Sequence, residues 1–272
     1  MRKGKILTMG GNVELSIDHP LMKEFFNISQ TITEGTPNIG IIPTASANPE
    51  KSGEDYSKIF NSLGANTFVI NPDSRESAND EDLLENVEEQ DVFFFTGGHQ
   101  LRITALLGGT KLLDLIERKF ENGAFLAGTS AGSVCMTKIM ISQDLLKRPF
   151  VHGEVELTQG LGFIDDVIID THFTTRERFP RLIHVVCENP GMLGVGIGDS
   201  TAALWDFDKT EFEVMGKNNV IVFDGKHIKT SNTTDLEFGE QLSVSDVRVH
   251  VVGRGSKINF DTCELTLPVK ED

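Results

Sequence analysis

The chain has 272 residues, a formal net charge of −16, 39% hydrophobic residues and 24% charged residues. This composition is typical of a soluble globular protein, and the length suffices for one large α/β domain or two small ones. The negative charge argues against nucleic acid as a partner, because a phosphate-binding surface needs lysine and arginine. No apolar run is long enough to cross a membrane, and none near the N-terminus is long enough for a signal peptide, so we expect a cytoplasmic protein.

Three cysteines, Cys135, Cys187 and Cys263, are few and widely spaced. No C-x-x-C pair or short Cys/His cluster is present, so the sequence predicts no metal site. An odd number of cysteines argues against a disulfide framework and fits a reducing compartment. We expect Cys135 to be a small residue of the core.

Short apolar runs alternate with helical stretches through the first half of the chain. Strands are predicted at Lys5–Met9, Asn38–Ile42, Thr67–Ile70, Val92–Phe95 and Ala124–Ala127. Helices are predicted at Pro20–Ile32, Glu50–Leu63, Glu81–Glu88 and Gln100–Phe120. This βαβα alternation indicates an α/β fold in which helices sandwich a mostly parallel sheet.

After Thr201 the pattern changes to short strands joined by polar turns. These strands are predicted at Ala203–Phe207, Glu211–Met215, Val220–Phe223 and Val247–Val252. The segments Asp206–Thr210 and Gly216–Asn219 are interpreted as hairpin connections. We expect an antiparallel β extension over roughly 203–272, packed on the same core. Because no linker rich in Pro, Gly or Ser separates the halves, we expect a single domain over residues 1–272.

The segment Gly128-Thr-Ser-Ala-Gly132 follows a strand-like run and has the form G-x-S-x-G. That pattern is typical of a nucleophile elbow, a tight strand-to-helix turn with a serine at its tip. A serine placed there exposes its hydroxyl, and the backbone N–H groups beside it can hold the oxyanion of an acyl-transfer intermediate. The sequence therefore predicts that Ser130 is the nucleophile of a hydrolase.

A nucleophilic serine needs a base, and the base needs an orienting acid. His172 lies just past the apolar strand Val167-Ile-Ile-Asp170, where α/β folds assemble their sites, and we interpret it as the base. Asp199, in a glycine-rich turn after another strand, is a candidate acid. Three other acids remain open at this point: Asp144, Glu154 and Asp170.

Two further groups of residues near these positions suit catalysis. Thr96-Gly-Gly-His-Gln100 also ends an apolar strand, and its glycines free backbone N–H groups for an oxyanion hole. Arg176, Arg178 and Arg181 lie within ten residues of His172. A guanidinium near the nucleophile can clamp a substrate carboxylate, although a solvated face paired with Glu177 is the alternative.

The chain resembles the cyanophycinases, in the serine peptidase family that also contains dipeptidase E. Five segments match this family in order: Phe95-Thr-Gly-Gly-His-Gln-Leu-Arg-Ile103, Gly128-Thr-Ser-Ala-Gly132, Gly160-Leu-Gly-Phe163, Ile169-Asp-Thr-His-Phe173 with the three arginines, and Gly196-Ile-Gly-Asp-Ser-Thr-Ala202. The resemblance implies a class I glutamine amidotransferase-like (flavodoxin-like) α/β fold. It also implies hydrolysis of cyanophycin, a polyaspartate that carries arginine on its side chains, from one end into β-aspartyl-arginine dipeptides.

By resemblance, Ser130 is the nucleophile, His172 the base and Asp199 the acid, at a position where cyanophycinases typically carry glutamate. Gly98 and Ala131 would form the oxyanion hole. The substrate pocket would comprise His99, Gln100, Asp170, Thr171, Arg176, Arg178 and Arg181, with Asp170 facing the substrate's arginine. The resemblance further implies a homodimer, and the chemistry needs no metal or organic cofactor.

Three departures from the family pattern leave the substrate open. His99 stands where an aspartate is usual, Thr171 where glutamine is usual, and Ser133 where alanine is usual. A related exopeptidase that acts on short aspartyl or isoaspartyl peptides is the first alternative. A non-catalytic ligand-binding relative is the second, although such a protein would show a broken elbow or a missing base.

Overall fold

The structure is a computed structural model that describes residues 4–144 and 150–269, with only the backbone described at 143 and 144. Its helices are α1 (Pro20–Thr33), α2 (Pro49–Leu63), α3 (Glu81–Glu88), α4 (Gln100–Leu107), α5 (Lys111–Glu121), α6 (Ala131–Val134) and α7 (Phe179–Glu188). Its first strands are β1 (Lys5–Met9), β2 (Asn38–Ile42), β3 (Asn66–Val69), β4 (Val92–Phe95), β5 (Phe125–Thr129), β6 (Ile139–Asp144), β7 (Val155–Gln159), β8 (Val167–Asp170) and β9 (Leu193–Ile197). The later strands are β10 (Thr201–Asp206), β11 (Glu211–Gly216), β12 (Val220–Asp224), β13 (Thr230–Ser231), β14 (Val244–Ser245), β15 (Arg248–Val252), β16 (Lys257–Asn259) and β17 (Leu265–Thr266).

The main sheet has nine strands in the order β17-β16-β11-β10-β1-β5-β4-β2-β3. Strands β1 to β5 run parallel, and the late strands continue the sheet antiparallel from β1. The predicted α/β fold, with a parallel sheet and an antiparallel C-terminal part, is confirmed. A second sheet has the order β15-β12-β9-β8. The late strands therefore divide among the main sheet, this second sheet and a two-stranded sheet formed by β13 and β14.

Helices cover both faces of the main sheet, as the continuous apolar run of β4 requires. Phe94 packs on one side with Phe25 of α1 and Phe60 of α2, at ring-centroid distances of 5.2 and 5.1 Å. Phe93 and Phe95 face the other side, in a cluster shared with α4, α5 and the second sheet. The two sheets therefore share one core. Within the described residues, no helix combines the length and apolar character that a membrane span needs.

Two sequence predictions of local structure are wrong. The single helix expected over Gln100–Phe120 is two helices, because Gly108 and Gly109 interrupt it and Gly109 adopts φ +67°. Gly216–Asn219 is not a hairpin, because it leads from β11 of the main sheet into β12 of the second sheet. Asp206–Thr210 does join antiparallel neighbours, β10 and β11.

A buried hydrogen bond between neighbouring strands gives a test of this core. Trp205 Nε1 of β10 donates to Thr8 Oγ1 of β1 at 2.9 Å, and both residues are fully buried. Thr8→Val keeps the shape of the side chain but leaves the indole N–H without its acceptor. We expect it to lower the free energy of unfolding by about 1–3 kcal/mol in urea denaturation. Thr8→Ser retains the hydroxyl and is the control; equal loss in both variants would contradict a role for the bond.

Candidate active site

Ser130 lies at the turn from β5 into the short helix α6. Its backbone has φ 51° and ψ −117°, a positive-φ conformation that non-glycine residues rarely adopt. Backbone bonds hold the turn: the N–H of Ser130 donates to Met9 O of β1 at 3.0 Å, and its carbonyl accepts from Ser133 N at 2.9 Å. Strain of this kind persists where the surrounding structure over-determines it. The strained turn is the elbow geometry that the G-x-S-x-G pattern predicts.

Three residues predicted from the sequence meet in one chain of hydrogen bonds. Ser130 Oγ lies 2.9 Å from His172 Nε2, and His172 Nδ1 lies 2.7 Å from Asp199 Oδ1. A carboxylate can only accept, so Nδ1 carries the proton and Nε2 is left to accept from the serine hydroxyl. Among the four candidate acids, Asp199 is therefore the one that contacts His172; the Asp144 side chain lies outside the described residues.

Asp199 is itself fixed by neighbours that the sequence did not single out. Thr175 Oγ1 donates to Asp199 Oδ2 at 2.7 Å. Asn218 Nδ2 and Thr201 Oγ1 both donate to the Asp199 backbone carbonyl, at 2.7 and 3.1 Å. With one carboxylate oxygen on His172 and the other on Thr175, the carboxylate has little freedom to rotate.

The imidazole of His172 rests against the glycine pair that follows β1. His172 adopts φ 50°, and its N–H donates to Gly10 O at 2.7 Å. Gly11 has φ +97°, and a Cβ there would lie 2.3 Å from His172 Cε1. Only glycine leaves room for the ring. Two consecutive glycines directly after the first strand were the available signal, but nothing in the sequence says that they face His172.

The pKa of His172 is lowered from its ordinary value. Burial of the ring is the largest cause, followed by the positive charge of Arg176, while the hydrogen bond to Asp199 and its charge act in the opposite direction. A lowered pKa keeps the imidazole neutral, and so able to accept a proton, further into the acid range.

The two predicted oxyanion-hole residues flank Ser130. Neither the Gly98 N–H nor the Ala131 N–H finds an acceptor in the part of the chain that the structure describes. Gly98 has φ +145°, and a Cβ there would lie 1.9 Å from Ala45 O, so only glycine fits. Both residues line a cavity of about 180 Å³ together with Ser130. Unpaired N–H groups at such a cavity suit a developing negative charge.

The same cavity brings together most of the predicted pocket residues. It is lined by Gln100, Asp170, Thr171, Arg176, Arg178 and Arg181. Gln100 uses its amide nitrogen internally, donating to Ile141 O at 2.8 Å and to Ser142 O at 3.2 Å. Arg176 is exposed and has no ion-pair partner among the described residues.

The structure gives Asp170 a different place from the one expected. Its side chain is fully buried, and its oxygens accept from Arg178 Nη1 at 3.1 Å, from Arg181 Nε at 2.6 Å and from Arg181 Nη2. Arg178 also donates to Thr171 O at 2.7 Å. The expected contact between Asp170 and a substrate arginine is therefore wrong, because this carboxylate has no exposed surface and is already bound to two guanidinium groups.

Two of the departures from the family pattern also have structural roles. His99 is not among the residues lining the cavity; its Nδ1 accepts from Leu101 N at 3.3 Å and caps α4. The expectation that His99 contacts the substrate stays a prediction. Ser133 is fully buried, accepts from Met9 N at 2.8 Å and contacts Gly128 O at 2.6 Å, which ties β1 to β5 below the elbow.

Comparison with known proteins agrees with the fold. The model of peptidase family S51 matches residues 7–212. The chain is 33% identical over 264 residues to a cyanophycinase of Geminocystis herdmanii (96% of this chain, 95% of the relative) and 30% identical over 260 residues to one of Trichormus variabilis (95% and 86%). The crystal structure of a peptidase from an acI-B1 actinobacterium superposes with a TM-score of 0.67 at 20% identity, over 92% of this chain and 98% of the other.

The fold and these matches define a serine peptidase, a hydrolase of peptide bonds. Within that class, the chain belongs to peptidase family S51.

The contact between Gly11 and His172 can be tested by adding a single methyl group. Gly11→Ala places a Cβ inside the imidazole, and we expect it to slow inactivation by phenylmethanesulfonyl fluoride by about 100-fold or more, since small misplacements carry that cost. Gly123→Ala is the matched control, because Gly123 also has positive φ (+105°) but nothing lies within 4 Å of the added Cβ. Equal rates in the two variants would show that the glycine does not position the base.

The charge of Arg176 predicts a change in pH dependence. Arg176→Gln removes a cation that lowers the pKa of His172, so that pKa rises and more base is protonated at a given acid pH. Phenylmethanesulfonyl fluoride is uncharged, so the pH profile of its inactivation rate reports the protonation of the enzyme. The acid limb of that profile should therefore move to higher pH. Arg254→Gln, which removes a cation paired with Glu24, should leave the limb in place. A shift to lower pH, or none, would contradict this electrostatic coupling.

Proposed function

We propose that this chain is a serine exopeptidase that hydrolyses cyanophycin to β-aspartyl-arginine dipeptides through an acyl-enzyme on Ser130. The observation that carries the proposal is the hydrogen-bonded chain from Ser130 through His172 to Asp199, beside a cationic cavity. Relatives of 30–34% identity that bear the name cyanophycinase support the choice of substrate.

In the proposed acylation step, Ser130 Oγ attacks an aspartyl backbone carbonyl of the substrate. His172 Nε2 takes the hydroxyl proton as the C–O bond forms, and Asp199 stabilises the resulting imidazolium through Nδ1–H. The carbonyl oxygen becomes negative and is held by the N–H groups of Gly98 and Ala131. The C–N bond then breaks, and His172 gives its proton to the departing amine.

Deacylation repeats this sequence with water. His172 removes a proton from a water molecule whose oxygen attacks the ester carbon, and the same N–H groups hold the second oxyanion. When the C–O bond to Ser130 breaks, His172 returns the proton to Oγ. The lowered pKa of His172 suits both steps, because each begins with a neutral imidazole.

The charge of the cavity favours an anionic group of the substrate. Arg178 and Arg181 line the cavity, and both are held in place by Asp170. Arg176 adds a positive charge at the exposed side. We propose that these groups bind the free carboxylate at the end of the polymer, which would restrict cleavage to the terminal unit. Asp170 then holds two arginines in place and does not itself contact substrate.

The nucleophile and substrate assignments are tested by incubation with purified cyanophycin. Wild type should release β-aspartyl-arginine, detected by mass spectrometry, and Ser130→Ala should lose activity by about 1,000-fold or more, as removal of a triad serine does. Ser62→Ala, an exposed serine on α2, is the control for handling and folding. Equal release by wild type and Ser130→Ala would refute the role of Ser130.

A panel of substrates distinguishes this proposal from the two alternative functions. Faster turnover of cyanophycin than of Asp-X and isoaspartyl dipeptides supports the proposed substrate, whereas the reverse order makes the chain an exopeptidase of short aspartyl peptides. No turnover of any member, with intact folding, would favour a ligand-binding role. The homodimer, the cytoplasmic location and the single domain over 1–272 stay predictions.

A further inference from the structure

A cluster of three metal-ligating side chains lies away from the peptidase site. Asp224, His250 and Cys263 each offer a ligand atom, and these three atoms all lie within 4.8 Å of one another. A tetrahedral Zn²⁺ ion with bonds of about 2.0–2.3 Å would require separations of about 3.3–3.8 Å between its ligands. A small adjustment of the side chains would bring the cluster to that geometry.

The backbone explains why three residues so far apart in sequence converge. Asp224 ends β12, and β15 pairs with it so that His250 lies opposite Val222, two residues before Asp224. Side chains in this diagonal relation point to the same face of a sheet. Cys263 approaches that face from the turn between β16 and β17 of the main sheet, where it adopts φ 58°. The cluster thus lies between the two sheets.

The three side chains do not satisfy one another. No hydrogen bond joins any two of them among the described residues, and His250 Nε2 is buried without a partner. Asp224 and Cys263 are buried, whereas His250 is half-buried and so leaves an approach from solvent. A buried imidazole nitrogen without a hydrogen bond is costly, which points to a partner other than the protein atoms.

A second cluster, formed by His152, His184 and Glu188, also has a buried imidazole nitrogen without a partner, His184 Nδ1, but its members bond to one another. Glu188 Oε1 lies 2.7 Å from His152 Nδ1 and 3.0 Å from His184 Nε2, so these groups pair with one another without an ion. The pKa of Glu188, although raised by burial, is lowered overall by these two histidines. The first cluster is therefore the better candidate for a metal.

We propose that Asp224, His250 and Cys263 form a structural Zn²⁺ site that joins the second sheet to the β16–β17 turn of the main sheet. Thiolate, imidazole and carboxylate together are a donor set that zinc prefers. Water or His227, whose Nε2 lies 3.5 Å from Asp224 Oδ2, completes the tetrahedron. On binding, the S–H bond of Cys263 breaks, its proton passes to buffer and an S–Zn bond forms. Thiolate and carboxylate then balance the ion's two charges.

The site lies at the far end of β12 from the catalytic residues, since Val220 pairs with Ile197 and Asp224 with Leu193. Four residues of a strand span about 13 Å, which separates the ion from the catalytic residues. The ion therefore acts on stability and not on the peptidase reaction.

Cobalt is a direct probe, because thiolate ligation to Co²⁺ gives a near-ultraviolet charge-transfer band that nitrogen and oxygen ligands do not. Untagged protein is reduced, treated with chelator and titrated with Co²⁺ alone. We expect the band to saturate at one equivalent, to disappear on adding Zn²⁺ and to be absent in Cys263→Ser. Cys187→Ser, which removes another buried thiol, should retain it.

His250→Gln provides a second variant should Cys263→Ser fail to fold. It should keep the fold but weaken Co²⁺ binding by at least about 10-fold. Removal of a residue that only hydrogen-bonds to a metal ligand already has an effect of about that size. Zn²⁺ should also raise the unfolding temperature of wild type and not of this variant. A missing thiolate band in wild type, or a band that survives in Cys263→Ser or binds equally well in His250→Gln, would overturn the zinc site.

Discussion

The hydrogen-bonded chain from Ser130 through His172 to Asp199 depends on how two sheets pack together. Ser130 follows β5 of the main sheet, whereas His172 follows β8 and Asp199 follows β9, both in the second sheet. The 2.9 Å contact between Ser130 and His172 therefore crosses from one sheet to the other. Any shift of one sheet against the other would lengthen this contact before it disturbed either sheet.

The shared core and the chain path both fix that relation. One hydrophobic cluster contains Phe95 and Leu126 of the main sheet and Ile169 and Val195 of the second, and close-packed cores resist sliding. The turn that carries Asp199 leads directly from β9 of the second sheet into β10 of the main one. After β1, Gly10 O accepts from His172 N at 2.7 Å and Gly11 O accepts from Ser200 N at 2.9 Å. These two bonds tie the turns that carry His172 and Asp199 to the main sheet.

The sequence was most informative where local pattern decides structure. Strands β1, β2 and β4 have the predicted bounds, because each is an apolar run that ends at polar or turn residues. The elbow serine and its histidine were also recognisable from local context. The choice of Asp199 among four acids was not, since it rests on which turn reaches the imidazole. Gly11, Thr175 and the pairing of Asp170 with two arginines depend on segments brought together only by folding, and Gly108-Gly109 broke a helix that apolar periodicity alone favoured.

The central claim is that His172 makes Ser130 the reactive nucleophile. The most direct measurement is labelling with a fluorophosphonate, followed by peptide mapping of the adduct by mass spectrometry. In wild type, the label should be found on Ser130, and in His172→Ala that adduct should be nearly absent after the same exposure. A label on a different residue of wild type, or equal labelling of Ser130 without the histidine, would contradict the claim.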